Sequence, residues 1–259
     1  DVASPASSFS KASLLAPGAY RVRIASPRGG TVATSAGFGL ADTLPLHAVR
    51  GPIDTLVVAG GEEDALRRAI FDDGAGRWLA EAAPHARRVA SVCTGAFVLA
   101  AAGLLEQREA TTHANACELL AQLCPGTRVQ RDRIYVRDGA LWTSAGVTTG
   151  LDLALALIAD DLGRATAMQI ARDLAVFLLR PGSAPRFDTV NRVCAALGFQ
   201  IGHEAFGNLA FVERLAAFGG YLAHRSPQLF LLVHHAGFGR CAVDHQQLAS
   251  FRRGADQRG

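Results

Sequence analysis

The sequence predicts an α/β fold: a parallel sheet covered by helices on both of its faces. Strand-like and helix-like segments alternate between residues 20 and 160, the order that produces such sheets. The strand-like segments are continuous apolar runs, not polar–apolar alternations, as strands covered on both faces require. The chain has 259 residues, 49% of them hydrophobic and 19% charged. That is ample for a core and far from the composition of a disordered chain.

YRVRIASP (20–27) reads as a strand, with a turn at Arg28-Gly29-Gly30. DTLVVAGG (54–61) is an apolar strand that ends in two glycines. EEDALRRAIFDDGAGRWLAEAA (62–83) has helical spacing and an acidic first turn, which suits the helix dipole. RRVASVC (87–93) is a second buried strand, and TGAFVLAAAGLL behind it reads as a helix. REATTH (108–113) is a short strand and NACELLAQL (115–123) a helix. TRVQRDRIYVRDGALWTSA (127–145) reads as strands with a turn at Asp138-Gly139. VTTGLDLALALIADDLG (147–163) and RATAMQIARDLAVFLLR (164–180) read as helices, the second stopped by Pro181-Gly182. RPGSAPRF (180–187) is the best domain boundary, giving one domain over 1–182 and a second region over 183–259.

No apolar run is long enough for a membrane span. The five cysteines, Cys93, Cys117, Cys124, Cys194 and Cys241, are odd in number and lack metal-ligand spacing. They read as reduced thiols of a cytoplasmic protein. His224, His234, His235 and His245 have no ligand pattern either, so no metal and no cofactor are expected. The net charge of +3 lies entirely in residues 183–259, which hold 8 Arg against 5 Asp and Glu. A basic tail on a neutral body points weakly to nucleic acid, and a solvated face explains it equally well.

Cys93 is the candidate functional residue. It ends a buried strand where a helix begins, and sites in such sheets form beyond the carboxyl ends of strands. A cysteine on that turn is held away from the backbone, and a helix N-terminus would lower its thiol pKa. Backbone N–H groups of Gly60, Gly61 and Thr94 could together hold an oxyanion. The alternative is that Cys93 is a small buried residue without chemistry, a common place for free cysteine.

SVCTGAFVLAAAGLL (91–105), EATTH (109–113) and IYVRDGALWTSAGVTTGLDLAL (134–155), in this order, resemble the ThiJ/PfpI (class I glutamine amidotransferase-like) superfamily. They are most similar to the sensor domain of AraC-type transcriptional regulators of the GlxA kind. The resemblance implies a flavodoxin-like sheet with Cys93 on its elbow. His113 matches a histidine found near that cysteine in several members, and Asp1 an acidic residue that hydrogen-bonds it. In the related isonitrile hydratases the aspartate, cysteine and following threonine are the catalytic set, which carries over to Asp1, Cys93 and Thr94. The resemblance also places an apolar strand, internal to the sheet, before that aspartate. Here the sequence opens at Asp1, so the first strand is expected to be missing and two strand edges exposed.

A DNA-binding region with two helix-turn-helix units follows in such regulators. NLAFVERLAAFGG (208–220), HRSPQLF (224–230) and GRCAVDHQQLAS (239–250) resemble parts of it, so residues 183–259 read as a truncated, all-α helix-turn-helix remnant. Arg225, Gln228 and Arg240 are its candidate DNA-binding residues. LFLLVHHAGFG (229–239) is apolar where a recognition helix needs polar and basic side chains. Three functions stay open. The first is a homodimeric regulator that senses a small ligand near Cys93 and binds DNA. The second is a cysteine-dependent hydratase or hydrolase. The third is a sensor module without output.

Overall fold

The computed structural model describes residues 1–146, 148–174, 181–183 and 230–235. Its elements run α1 (Ala3–Leu15), β1 (Tyr20–Ser26), β2 (Gly30–Ala33), β3 (Gly39–Pro45), β4 (Thr55–Val58), α2 (Glu63–Arg67), α3 (Ala75–Ala82), β5 (Arg88–Val92) and α4 (Ala96–Ala101). β6 (Glu109–Ala110), α5 (Cys117–Leu123), β7 (Arg128–Val129), β8 (Tyr135–Asp138), β9 (Leu141–Ser144), α6 (Thr149–Leu162), α7 (Arg164–Asp173) and β10 (Phe230–His235) follow.

One sheet has the order β2-β3-β1-β10-β4-β5-β9-β8, and β6 and β7 form a small separate pair. β4, β5 and β9 run parallel at its centre and are buried at every position. Their side chains alternate between two cores, as the pleat dictates. Leu56, Val58 and Val89 face a cluster with Leu79, Val98 and Leu99 from α3 and α4. Val57, Ala90, Val92 and Trp142 face Phe9, Leu153, Leu157 and Ile170 from α1, α6 and α7. The predicted α/β class with helices on both faces is therefore the observed one.

Several elements differ from the expectation. The helix read over 62–83 is broken into α2, a π-helical turn (Arg68–Asp72) and α3, with Gly74 in the left-handed region (φ 70°) at the break. α4 is half the expected length, and Gly103 with φ 74° lies just beyond it. α1 and the β2–β3 ribbon were not anticipated. The largest difference lies in the tail. The expected helix-turn-helix remnant falls mostly outside the described residues. Its one described stretch, Phe230–His235, is a strand and not part of a helix. It lies between β1 and β4, antiparallel to both, with Phe230 opposite Ala25 and Val58 and Val233 opposite Val22 and Thr55. The slot expected to stand empty is filled, and the adjacent edges of β1 and β4 are both paired. A Phe-Leu-Leu-Val run suits a fully covered strand, and Leu232 is completely buried there.

Candidate functional site

The site lies at the carboxyl edge of the sheet, where β4 and β5 end side by side. After Val92 the chain turns sharply, and Cys93 takes a left-handed backbone conformation, φ 57°. For a residue with a Cβ that is strained and is held only by its surroundings. Here the Thr112 hydroxyl donates to the Cys93 carbonyl oxygen at 2.8 Å. A 3₁₀ turn (Cys93–Gly95) then leads into α4. Gly95 is required there, because a Cβ would lie 2.3 Å from the Val58 carbonyl oxygen.

Gly60 is the point of convergence. A Cβ on it would come within 2.5 Å of Asp1 Oδ2, 2.8 Å of Thr94 Oγ1 and 2.9 Å of Cys93 Cβ. The missing side chain is thus what lets Asp1, Thr94 and Cys93 meet. The Gly60 N–H donates to Asp1 Oδ2 at 3.0 Å. The Gly61 N–H donates to Thr94 Oγ1 at 3.0 Å, and the Thr94 hydroxyl donates back to the Gly61 carbonyl at 2.9 Å. The Gly60 and Gly61 N–H groups, expected to hold an oxyanion, thus donate here to Asp1 and Thr94. Asp1 Oδ1, by contrast, is buried with no partner among the described residues.

The thiol differs from expectation too. Burial pushes the Cys93 thiol up from its ordinary value, and the Thr94 N–H and the neighbouring Thr94 hydroxyl pull it down only in part. The predicted lowering by a helix N-terminus loses to desolvation. His113 sits at the start of the turn before α5, its ring near Gly146: a Cβ on that glycine would lie 3.9 Å from His113 Cδ2. Among the described residues, no hydrogen bond joins its ring to Cys93 or Asp1. Arg225, Gln228 and Arg240 lie outside the described residues. So the structure brings together Asp1, Gly60, Gly61, Cys93 and Thr94, and leaves His113 unlinked to them by hydrogen bonds. Sequence reasoning missed Thr112, which holds the elbow carbonyl. Ser91, one residue before the end of β5, has its hydroxyl oxygen buried without a partner among the described residues.

Residues 1–160 match the family described as the DJ-1/PfpI family. The chain belongs to that family. It is 39% identical over 137 residues to the isonitrile hydratase of Pseudomonas putida, covering 53% of this chain and 56% of that protein. It is 30% identical over 207 residues to the HTH-type transcriptional regulator GlxA of Rhizobium meliloti, covering 76% of this chain and 57% of that one. The chain thus spans little more than half the length of either relative. Among solved structures, a ThiJ/PfpI family protein from Pseudomonas syringae superposes with a TM-score of 0.61 at 24% identity, covering 84% of this chain and 81% of that one. This last likeness is one of fold. Among the described residues no helix is long and apolar enough to cross a membrane.

Proposed function

We propose that the protein is a transcriptional regulator whose DJ-1/PfpI domain senses a small ligand beside Cys93 and biases a DNA-binding tail, acting as a homodimer in the cytoplasm. The observation that carries this reading is the extent of the likeness to GlxA. That match spans 76% of the chain, beyond the 1–160 that the family itself covers. The state of the site supports sensing over turnover. Burial pushes its thiol up from the ordinary value, and the Gly60 and Gly61 donors that an oxyanion would use are engaged inside the protein. A ligand that offers a hydrogen-bond donor to Asp1 Oδ1 would complete a buried acceptor, which is costly to leave bare. Fluorescence anisotropy of the purified chain on its own upstream DNA, at low and physiological salt, tests the reading. Binding tighter than to scrambled DNA, weakening steeply with salt, is expected. Equal binding to both DNAs, or none, sinks it.

A second reading has its own support. Asp1, Cys93 and Thr94 converge on Gly60, and Asp1 Oδ1, without a partner among the described residues, stands ready to carry a proton. In this reading the chain is a hydratase. Asp1 takes the Cys93 proton, the sulfur attacks an electrophilic carbon such as that of an isonitrile, and the carbon takes up that proton to give a thioimidate; water then adds to the same carbon and the C–S bond breaks, releasing a formamide and returning the proton to Cys93. Turnover that survives Cys93→Ala would exclude it.

A further inference from the structure

Residues 181–183 follow α7 in the chain and lie against the start of β8, the last strand of the sheet. The Ile134 N–H donates to the Gly182 carbonyl oxygen at 3.1 Å. A Cβ on Gly182 would lie 2.6 Å from the Tyr135 carbonyl oxygen, and 2.8 and 2.9 Å from Tyr135 Cε2 and Cδ2. Only glycine lets the backbone lie flat on this ring. Burial pushes the Tyr135 phenol up, and the Gly182 backbone beside it pulls it down only in part. We propose that Ile134 and Tyr135 clasp Gly182, and that this clasp loosens when the space beside Cys93 is filled. The proposal needs neither the regulator nor the hydratase reading.

Ile134 is the joint. It is completely buried, its N–H holds Gly182, and its carbonyl oxygen accepts from the Ala145 N–H at 2.9 Å. Ala145 belongs to the Cys93 edge of the sheet. β5 and β9 run parallel with Val92 opposite Ser144, so the residues that follow, Cys93 and Ala145, leave the sheet side by side. Gly146 comes next, beside the His113 ring, and is tied to Thr149 Oγ1 through its N–H at 2.6 Å and its carbonyl at 2.8 Å. Gly150 packs on Val92, where a Cβ would lie 3.0 Å from the nearer methyl. A second tie runs through the rings, with Tyr135 stacked on Trp142 at 6.2 Å between centroids. Packed interiors have little slack. A group added at Cys93 must displace Ala145 and Gly146 or strain the elbow further. Displacing Ala145 draws on the Ile134 carbonyl and loosens Gly182 on the other side of the same residue. The chain leading into residues 183–259 thereby feels the state of the thiol.

Hydrogen exchange of the Ile134 amide, followed by NMR on the full chain, reads the clasp directly. Gly182→Ala should speed this exchange by about tenfold, while amides of β4 and β5 keep their wild-type rates. Ser183→Ala, at an exposed neighbour, should match wild type. Tyr135→Phe, which keeps the ring and removes the hydroxyl, should move Ile134 in the same direction by less. Coupling acts equally both ways. Gly182→Ala should therefore raise the iodoacetamide labelling rate of Cys93 by about fivefold, and labelled wild type should exchange Ile134 about fivefold faster than unlabelled. Cys93→Ala given the same reagent should show no such change. Unchanged Ile134 exchange in Gly182→Ala, or an equal rise throughout β4 and β5, overturns the clasp. Faster Ile134 exchange with an unchanged Cys93 rate, or an equal response of Cys93→Ala to the reagent, overturns its coupling to the site.

Discussion

The two ends of the central strands are built on opposite terms. At the amino end, Arg88 on β5 is 2% exposed, and the Asp161 carboxylate on α6 takes its guanidinium. Arg87 donates to the same carboxylate at 2.8 Å, and so does the Tyr20 hydroxyl. Burial and the Asp161 charge push the Tyr20 phenol up, so it remains a donor. Every charge there has its counter-charge. At the carboxyl end, Cys93 is strained, its thiol is desolvated, and Asp1 Oδ1 and Ser91 Oγ are buried without partners among the described residues. Both ends are polar and buried, but only one is satisfied. Polar burial alone does not mark a site. What marks it is strain and unmet hydrogen-bonding capacity held in place by a rigid frame.

The sharpest way to break this contrast is to unbalance the satisfied end. Asp161→Ala leaves buried Arg88 with the more distant Asp160 carboxylate at 3.8 Å in place of its close partner, and breaking a buried pair costs about 3–5 kcal/mol. Urea denaturation should show that loss. A cost under about 1 kcal/mol, as for exposed pairs, would mean that the network is solvated and the contrast false. At the other end, Gly60→Ala pushes a methyl group into Asp1, Thr94 and Cys93. Overpacking of this kind costs about 1–3 kcal/mol, and Cys93 labelling should change with it. Gly146→Ala, whose Cβ among the described residues meets only His113 Cδ2 at 3.9 Å, is the control and should leave both stability and labelling near wild type.

Much of this was legible in the sequence because it is local. The apolar runs 54–61 and 87–93 became β4 and β5, and Cys93 stands at the strand end where the alternation places it. Other features have no local signal. α1 is rich in Ser and Ala and lacks a side-chain cap, so nothing in ASPASSFSKASLL announces a helix until Phe9 and Ala12 are seen packed under the sheet. The Gly60 and Gly61 donors read as free because their acceptors, Asp1 and Thr94, are 59 and 33 residues away. β10 is the extreme case: its apolar pattern was visible, but its place was set by partners far off in the chain. Desolvation of the thiol, likewise, is a property of the packed site and not of the turn.

The strain at the elbow can be isolated by a smaller difference. Cys93→Ala keeps a Cβ in the left-handed region, whereas Cys93→Gly removes it. The glycine variant should be the more stable of the two by about 1 kcal/mol, as read by thermal unfolding. If alanine is equal or better, the positive φ carries no strain and the elbow is an ordinary turn.

The subtlest test is pH. A raised thiol pKa means that the folded chain keeps the Cys93 proton at pH values where the unfolded chain has lost it. The native state then binds more protons, so this group's contribution to stability is full below the ordinary thiol pKa of about 8.5 and declines as pH rises above it. The labelling rate of Cys93 should accordingly climb with a midpoint above that of a free thiol. Thr94→Val removes a hydroxyl that pulls the pKa down and should move the midpoint higher still, while Thr94→Ser should restore it. A midpoint at or below that of a free thiol would show that the hydrogen bonds outweigh burial. Cys93 would then be a standing nucleophile, and the balance at this end of the sheet would tip from sensing toward chemistry.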